Sequence, residues 1–250
     1  MKNPEKLAWF ITGTDTEVGK TFVACALLHA LRQHGLSALG MKPVAAGLDD
    51  EGKNEDVEQL MAASSLAAPR ELVNPYAFRA AVAPHIAAAE EGRTIDLARI
   101  VADFTQLQGL ADAVLVEGVG GFCVPLGPHC DTADLAVALD LPIILVVGMR
   151  LGCINHALLT EQAIAARDLK LAGWIANRID PAMMRFEENL AALTERISAP
   201  LLGVVAHGTT PELAASGLLI ESSGAGESRP CALPEPDVNL SIHPAPIVQP

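Results

Sequence analysis

The segment from residue 10 to residue 21, FITGTDTEVGKT, constrains this chain more strongly than any other stretch. It begins with apolar residues that suit a buried strand, and apolar residues recur after it at the spacing of one helix face. The polar turn between them ends in Gly19, Lys20 and Thr21. Such a turn directs backbone N–H groups and the positive end of a helix dipole at a bound anion. The segment therefore predicts a phosphate-binding loop between a strand and a helix.

The side chains of this loop predict a nucleotide site. Lys20 is expected to place its charge at the β- and γ-phosphates, and the Thr21 hydroxyl to bind Mg²⁺. The loop is a variant, since the usual pattern has glycine where Thr14 stands and Gly13 lies one residue early. The alternative is an ordinary strand, turn and helix in which the glycine and the lysine are incidental. The candidate nucleotide-binding residues of the loop are Thr16, Glu17, Val18, Gly19, Lys20 and Thr21.

The composition argues against several classes of function. A formal net charge of -13 disfavours binding to nucleic acid or to anionic membranes, because both need an excess of lysine and arginine. The longest apolar run, from 141 to 149, is too short to cross a bilayer, and the first residues lack the apolar stretch of a signal peptide. Five cysteines, none in a Cys-x-x-Cys spacing, indicate neither a disulfide framework nor a zinc site. We therefore expect a cytoplasmic protein with no nucleic-acid or membrane partner.

The order of strand and helix patterns predicts the fold class. Strand patterns alternate with helix patterns between residues 8 and 205, which is typical of an α/β fold with a mostly parallel sheet and helices on both faces. Together with the loop, this predicts a single-domain P-loop NTPase fold over residues 1–220. Residues 221–250 contain six prolines and few large apolar groups, so we expect a Pro-rich, disordered tail there.

Three further positions lie where such a sheet is expected to bind a ligand. Lys42 follows a strand predicted over 38–44 and suits charge on a transferring phosphoryl group, although a lone loop lysine is more often solvated. Asp56 begins a helix pattern and is either a metal ligand or a solvated helix-start charge. Glu117 ends the apolar strand 113–117 and is a candidate ligand of Mg²⁺, direct or indirect. Its glycine-rich continuation, which leaves room for a ligand, is Gly118, Val119 and Gly120.

Two more strand ends carry candidate binding groups. The turn over residues 152–155 leads from a strand into a helix whose free N-terminus suits a carboxylate, and its alternative is a plain connection. Asn177 begins the sequence Asn-Arg-Ile-Asp, which resembles the base-reading motif of guanine-nucleotide proteins. Its amide is a candidate partner for a purine edge, while Asp180 is as easily a helix cap. The turn consists of Gly152, Cys153, Ile154 and Asn155.

Taken together, these motifs closely resemble the dethiobiotin synthetase family. The resemblance covers about residues 8–205, and it rests on several motifs in the same order rather than on any single one. The matching segments are TGTDTEVGKT (12–21), KPV (42–44), NPY (74–76), PH (84–85), VEGVGG (116–121) and LGCINH (151–156).

The resemblance implies a ring-closing reaction. Members of the family close the ureido ring of dethiobiotin from 7,8-diaminopelargonate, CO2 and ATP, and release ADP and phosphate. One amine takes up CO2 as a carbamate, the carbamate attacks the γ-phosphate, and the second amine captures the carbamic-phosphoric anhydride. Such chemistry needs positioned cations rather than a covalent nucleophile on the protein.

The resemblance also implies the catalytic and metal-binding residues. Lys20 and Lys42 would flank the carbamate and the γ-phosphate, and ATP would be a co-substrate held with Mg²⁺. The residues that would hold the metal are Thr21, Asp56 and Glu117.

The remaining implied contacts concern adenine and the diamine substrate. Asn177 would contact adenine, and Thr16, Lys42 and Ala46 would contact the substrate. The turn over residues 152–155 would bind the substrate carboxylate from a partner subunit, since family members are homodimers with sites at the interface. Ala46 stands where family members often carry a serine, which removes one hydrogen bond to the substrate.

A P-loop ATPase switch of the partitioning and division-site type is the alternative function. Those switches carry an additional lysine early in the loop, where this chain has Asp15. Lys42 and the carboxylate-type turn also favour the synthetase.

Overall fold

Six parallel strands form the central sheet of residues 6–219, the part of the chain that the computed structural model describes. The strands of this part are β1 (Leu7–Gly13), β2 (Ala38–Met41), β3 (Val44–Ala46), β4 (Tyr76–Phe78), β5 (Ala113–Glu117), β6 (Ile143–Gly148), β7 (Leu171–Asn177) and β8 (Leu201–Val205). The order across the sheet is β2-β5-β1-β6-β7-β8. β3 pairs in parallel with β4 in a second, two-stranded sheet.

Helices connect most of the strands. Those within residues 6–219 are α1 (Lys20–Gln33), α2 (Glu55–Ala63), α3 (Arg70–Val73), α4 (Pro84–Glu90), α5 (Leu97–Leu110), α6 (Thr132–Leu139), α7 (Cys153–Ala165), α8 (Phe186–Arg196) and α9 (Pro211–Ala215). None of the helices in this range combines the length and the apolar character needed to cross a membrane.

The core forms two layers, one on each face of the central sheet. Ile11, Leu115 and Ile144 pack with α1 and α2 on one face. Their chain neighbours Phe10 and Leu145 point the opposite way, because side chains alternate along a strand, and they belong to the clusters that include α5 to α8. With both faces covered, the strands are nearly continuous apolar runs. The predicted α/β P-loop NTPase fold, with helices on both faces of a parallel sheet, is confirmed.

The structure corrects one predicted element. The strand predicted over 38–44 is two strands, because β2 ends at Met41, the Lys42 N–H bonds to Val73, and Pro43 has no N–H to continue a ladder. The structure also adds β4, which is too short to show a period in the sequence. Asp180 is not the cap of α8, which begins at Phe186 after the left-handed Arg185, with φ of 59°.

The parallel order of the strands places the site. β1, β2, β5, β6 and β7 run in the same direction, so their C-terminal ends and the loops that follow meet along one edge of the sheet. Ligands bind at this edge in open α/β sheets. The predicted domain end at residue 220 and the predicted tail over 221–250 lie outside the described residues.

Candidate active site

The loop between β1 and α1 is an anion cradle built from backbone groups. Gly19 precedes α1 in a left-handed conformation, with φ of 83°, and no side chain caps the helix. The N–H of Val23 is the first of the helix to bond within the chain, to the Gly19 carbonyl, and the N–H groups of residues 20–22 have no backbone acceptor within residues 6–219, so they can bind a ligand. The Lys20 ammonium folds back over the loop and donates to the Asp15 carbonyl at 2.9 Å. The loop therefore presents N–H donors and one ammonium to the same space, as the sequence predicts.

Asn177 holds this loop from behind. Its side-chain amide donates to the Val18 carbonyl at 2.8 Å, and a Cβ added to Gly19 would lie 2.2 Å from the same amide nitrogen. Only glycine therefore fits at position 19, for space as well as for its positive φ. One amide N–H of Asn177 is bonded to the loop. The predicted contact with adenine can therefore use only the second amide N–H and the side-chain carbonyl oxygen of Asn177.

Lys42, Asp56 and Glu117 form a lysine–carboxylate cluster beside the loop. The Lys42 ammonium lies 2.5 Å from Glu117 Oε1 and 2.9 Å from Asp56 Oδ2. The side chains of Lys42 and Glu117 are 4% and 1% exposed, so this is a buried ion pair that two strand ends bring together. The Thr21 hydroxyl donates to the same Glu117 oxygen at 2.8 Å. All three predicted metal ligands and both predicted catalytic lysines thus lie at one edge of the sheet.

Burial and charge act differently on the two lysines. Burial lowers the pKa of Lys20 to about 8, and the nearby charge of Lys42 acts in the same direction. Burial alone would lower the pKa of Lys42, but its ion pairs with Glu117 and Asp56 outweigh burial and raise that pKa. Burial likewise opposes the charge of Asp56, yet the Lys42 ammonium makes the net shift of its pKa downward. Lys42 therefore remains an ammonium ion at neutral pH.

The oxygens of this cluster fit a hard cation that arrives with a nucleotide. Mg²⁺ prefers oxygen ligands and is commonly held by one or two carboxylates together with phosphates. Glu117 Oε2 is buried and has no hydrogen-bond partner within residues 6–219, which is a costly arrangement without a ligand. In the same part of the chain, no three His, Cys, Asp or Glu side chains are grouped to hold a metal. Thr21, Asp56 and Glu117 thus suit an ion whose other ligands are phosphate oxygens.

A cavity of about 750 Å³ opens over the loop and the cluster. The loops after β1, β3 and β5 and the N-termini of α2 and α4 form its walls. The predicted site residues that line it are Thr16, Glu17, Gly19, Lys20, Thr21, Lys42, Ala46, Asp56, Glu117, Val119 and Gly120. Val18, Gly118 and Asn177 are buried beside or beneath the loop instead. The cavity is thus large enough for a triphosphate and a small substrate in one space.

The glycines after Glu117 have a packing role that the sequence analysis did not foresee. A Cβ on Gly118 would lie 3.0 Å from the ring of Phe10, and one on Gly120 would lie 2.8 Å from Val124. Gly120 also has a φ of 65°. The protein's own side chains therefore use much of the room that these glycines leave.

The turn at the start of α7, residues 152–155, lies outside this cavity. Cys153 donates its N–H to the Arg150 carbonyl, and His156 donates to Gly152. The N–H groups of Ile154 and Asn155 have no backbone acceptor within residues 6–219, and no acidic side chain lies in the first turn of the helix. The turn therefore has the free donors that a carboxylate needs.

An ion pair that the sequence analysis missed joins this turn to the phosphate loop. Arg150 donates to Asp15 Oδ2 at 2.6 Å, and both side chains are nearly half exposed. The strands β1 and β6 are neighbours, so the loops after them meet. Asp15 and Arg150 are 135 positions apart in sequence, and no local sequence pattern predicts the strand order that brings them into contact.

Two asparagines support the cluster in ways that the sequence analysis did not indicate. Asn74 donates its side-chain amide to the Lys42 carbonyl at 2.6 Å and so fixes the backbone of that lysine. Asn54 lines the cavity, caps α2 and donates to the Gly47 carbonyl at 2.9 Å. Asn54 precedes an acidic helix start, which is a signal that sequence analysis can use.

The fold and the site define a P-loop nucleotide-binding protein with a second buried lysine. A family model described as an AAA domain matches residues 8–210. Among solved structures, chloroplast FtsY from Physcomitrella patens is 17% identical with a TM-score of 0.52, over 84% of this chain and 61% of that chain. The MinD cell division protein of Aquifex aeolicus is 14% identical with a TM-score of 0.50, over 84% and 93%. At these identities the likeness concerns the fold alone.

Two curated relatives identify the family. The ATP-dependent dethiobiotin synthetase BioD of Aromatoleum aromaticum is 66% identical over 219 residues, which cover 86% of this chain and 97% of the relative. The protein of the same name from Janthinobacterium sp. (strain Marseille) is 52% identical over 221 residues, or 86% and 94%. The chain therefore belongs to the ATP-dependent dethiobiotin synthetase family. The resemblance drawn from the motifs is confirmed, and with it the prediction of an ATP-dependent ligase.

Proposed function

We propose that this protein closes the ureido ring of dethiobiotin from 7,8-diaminopelargonate and CO2, with ATP as co-substrate, in biotin biosynthesis. The observation that carries the proposal is the convergence of two buried lysines, Lys20 and Lys42, on one cavity over an anion-binding loop. The relatives at 66% and 52% identity support the reaction. Asp15 occupies the loop position where a switch ATPase would carry lysine, which disfavours the alternative.

In this proposal the loop over residues 16–21 holds the triphosphate. Its backbone N–H groups and Lys20 face the β- and γ-phosphates, and Asn177 keeps the loop in shape while it contacts adenine. Mg²⁺ held by Thr21, Asp56 and Glu117 would neutralise charge on the β- and γ-phosphate oxygens.

The reaction runs in three steps. One amine of the substrate adds to CO2 and loses a proton, which gives a carbamate. A carbamate oxygen then attacks the γ-phosphorus and ADP leaves, which gives a carbamic-phosphoric anhydride. The second amine attacks the carbonyl carbon, phosphate leaves with the bonding pair, and a proton is lost as the ring closes. Every intermediate is bound without a covalent bond to the protein.

The protein contributes orientation and fixed charge to these steps. Lys42 stays protonated and lies at the cavity wall, where it stabilises negative charge on the carbamate and on the transferring phosphoryl group. Thr16 and Ala46 line the same cavity and set the position of the diamine. Once metal and nucleotide are bound the charged groups are in place, so little reorganisation accompanies the reaction itself.

We propose that two copies of the chain form a homodimer that completes the substrate site. The turn over residues 152–155 has free N–H donors but does not line its own chain's cavity, so the carboxylate end of the substrate is bound by the partner's turn. Leu151 is 93% exposed and Leu159 is 55% exposed, which gives this region apolar groups for an interface.

A cytoplasmic location fits this role. The reaction consumes ATP, and the cysteines at 25, 123, 130 and 153 are free thiols rather than disulfides.

The test is to measure phosphate release from ATP and Mg²⁺ with and without 7,8-diaminopelargonate plus bicarbonate, together with the product mass. We expect release that depends on the diamine and yields dethiobiotin. Release that is indifferent to the diamine would overturn the proposal and favour the switch ATPase.

Three variants control this assay. Lys20→Ala and Lys42→Ala are expected to lose diamine-dependent release. Lys53→Ala removes a lysine that is 49% exposed and pairs only with Glu51 in the described part of the chain, so its rate should match the unmodified protein.

A further inference from the structure

We infer that Lys42 is a placeholder cation: its ammonium satisfies the magnesium-binding carboxylates until the metal arrives, and the two then exchange. The inference rests on the proposed magnesium site but not on the ring-closing reaction. It assigns Lys42 a second state, in which its ammonium is released from the carboxylates into the cavity.

The contacts of Lys42 are those expected of a cation in a metal site. Its ammonium bonds to Glu117 Oε1 and Asp56 Oδ2, one oxygen from each predicted carboxylate ligand. The third predicted ligand, Thr21, donates its proton to that same Glu117 oxygen. One oxygen of each carboxylate and the Thr21 hydroxyl are therefore already engaged, and a metal can use these three groups fully only when these bonds are given up.

The charges of the site point to exchange rather than addition. Lys20 and Lys42 carry two positive charges, and Asp56 and Glu117 carry two negative charges, so these four groups balance; the other charged residue of the cavity wall, Glu17, is exposed to solvent. A divalent ion placed among these groups while Lys42 stayed in place would lie next to a buried ammonium and be repelled. Release of Lys42 removes that repulsion and frees Oε1 of Glu117, while Oε2 already has no partner.

The backbone of Lys42 is held firmly enough for only the side chain to move. Its N–H donates to the Val73 carbonyl at 2.9 Å, and its own carbonyl accepts from Asn74 at 2.6 Å. The side chain lies at the wall of the 750 Å³ cavity, so rotation about its own bonds carries the ammonium into the space for the substrate. The lysine thus reaches the carbamate only when metal and nucleotide are in place.

The test measures Mn²⁺ binding to the nucleotide-free protein by the loss of the free-ion electron paramagnetic resonance signal. Lys42→Met is compared with Lys20→Met, which removes an equal charge from the same cavity but leaves the carboxylates paired, since Lys20 bonds to the Asp15 carbonyl. We expect Lys42→Met to bind Mn²⁺ at least tenfold more tightly than the unmodified protein, and Lys20→Met to change the affinity less than threefold.

Two outcomes of this titration would overturn the inference. Equal gains in the two variants would mean that the charge of Lys42, and not its position, weakens metal binding. No gain in Lys42→Met would mean that the ammonium does not compete with the metal at all.

A measurement on the unmodified protein keeps the inference testable if Lys42→Met does not fold. In a crystal structure with Mg²⁺ and a non-hydrolysable ATP analogue, the Lys42 ammonium should lie beyond hydrogen-bond distance of Glu117. A metal bound while Lys42 keeps both carboxylate contacts would contradict the exchange. Neither experiment contains the diamine, so a negative result for the exchange would leave the test of dethiobiotin formation unaffected, and the reverse also holds.

Discussion

The N-termini of α1 and α7 have similar backbone geometry but different surrounding side chains. Each follows a strand of the central sheet, each is preceded by a left-handed glycine, with φ of 83° at Gly19 and 95° at Gly152, and neither has a side-chain cap. At α1 the turn lies at the base of the cavity and its surroundings are charged, with Lys20 and the lysine–carboxylate cluster around it. At α7 the turn over residues 152–155 contains no lysine, the nearby Arg150 is paired with Asp15, Gly152 has open space around it, and Leu151 is almost fully exposed.

This difference matches two kinds of anion. A triphosphate carries several charges and a metal ion, so its helix N-terminus needs cationic side chains and metal ligands from the same chain. A single carboxylate needs only the N–H groups of a helix start. In the proposed homodimer a second chain completes the α7 turn, whereas the residues around the α1 turn come from one chain.

The largest expected effect follows from removing the charge at the first turn of α1. Lys20→Ala should lower kcat/KM by about 100- to 1000-fold, the range for loss of one preorganised charged donor at a reacting centre. Steady-state kinetics on the variant and on Lys53→Ala measure it. A decrease in kcat/KM of less than tenfold would mean that the N–H groups alone hold the triphosphate.

The next effect concerns the exposed leucine beside α7. Leu151→Asp should place a charge in the proposed interface, dissociate the dimer, and raise KM for the diamine about 10- to 100-fold, as expected for lost hydrogen bonds to a charged group. ATP affinity should stay the same, because the α1 turn lies within one chain. The control is Leu213→Asp, since Leu213 is also exposed, at 71%, but lies on α9. Analytical ultracentrifugation that showed no change in mass would contradict the interface.

A matched pair of glycine substitutions compares the two turns in stability. Gly152→Ala meets nothing within 4 Å and should cost about 1 kcal/mol, the strain of alanine at positive φ. Gly19→Ala has the same strain and also collides with Asn177, so it should cost clearly more. Thermal unfolding should show a drop in Tm of about 2–4 °C for the first and a larger drop for the second. Equal drops would mean that Asn177 moves aside freely.

The smallest expected effect concerns the Asp15–Arg150 ion pair between the turns. Because both side chains are nearly half exposed, its contribution to stability should be within about 1 kcal/mol and should fall with added salt. A double-mutant cycle with Asp15→Asn and Arg150→Gln measures it. A coupling free energy that persists at high salt would contradict a screened surface interaction and would show that the pair holds the two loops in a fixed position.

The sequence predicted most of the fold and the α1 side of the site because the signals there are local. Gly19, Lys20 and Thr21 belong to one turn, and the apolar periods around them are long. The roles of Lys42, Asp56 and Glu117 were ambiguous when each residue was considered alone. The resemblance to a family indicated the role of each. The structure then showed them in direct contact.

What escaped prediction depends on contacts between distant segments. The Asp15–Arg150 pair exists because β1 and β6 are neighbours, which no local pattern states. The split between β2 and β3 depends on Lys42 bonding to Val73 rather than to the central sheet. The packing role of Gly118 depends on Phe10, more than a hundred residues away in sequence.

The most direct test of the comparison asks whether the α7 turn recognises the carboxylate of the substrate. Asn155→Asp keeps the size of an exposed residue and favours the helix start, but it places a negative charge beside the free N–H groups. We would measure kcat/KM for 7,8-diaminopelargonate and for its methyl ester, with Gln106→Glu, an exposed amide on α5, as the control. We expect Asn155→Asp to lower kcat/KM for the acid about tenfold, a loss of about 1.4 kcal/mol, and to leave the value for the ester unchanged. Equal losses for acid and ester, or no loss for either, would contradict it.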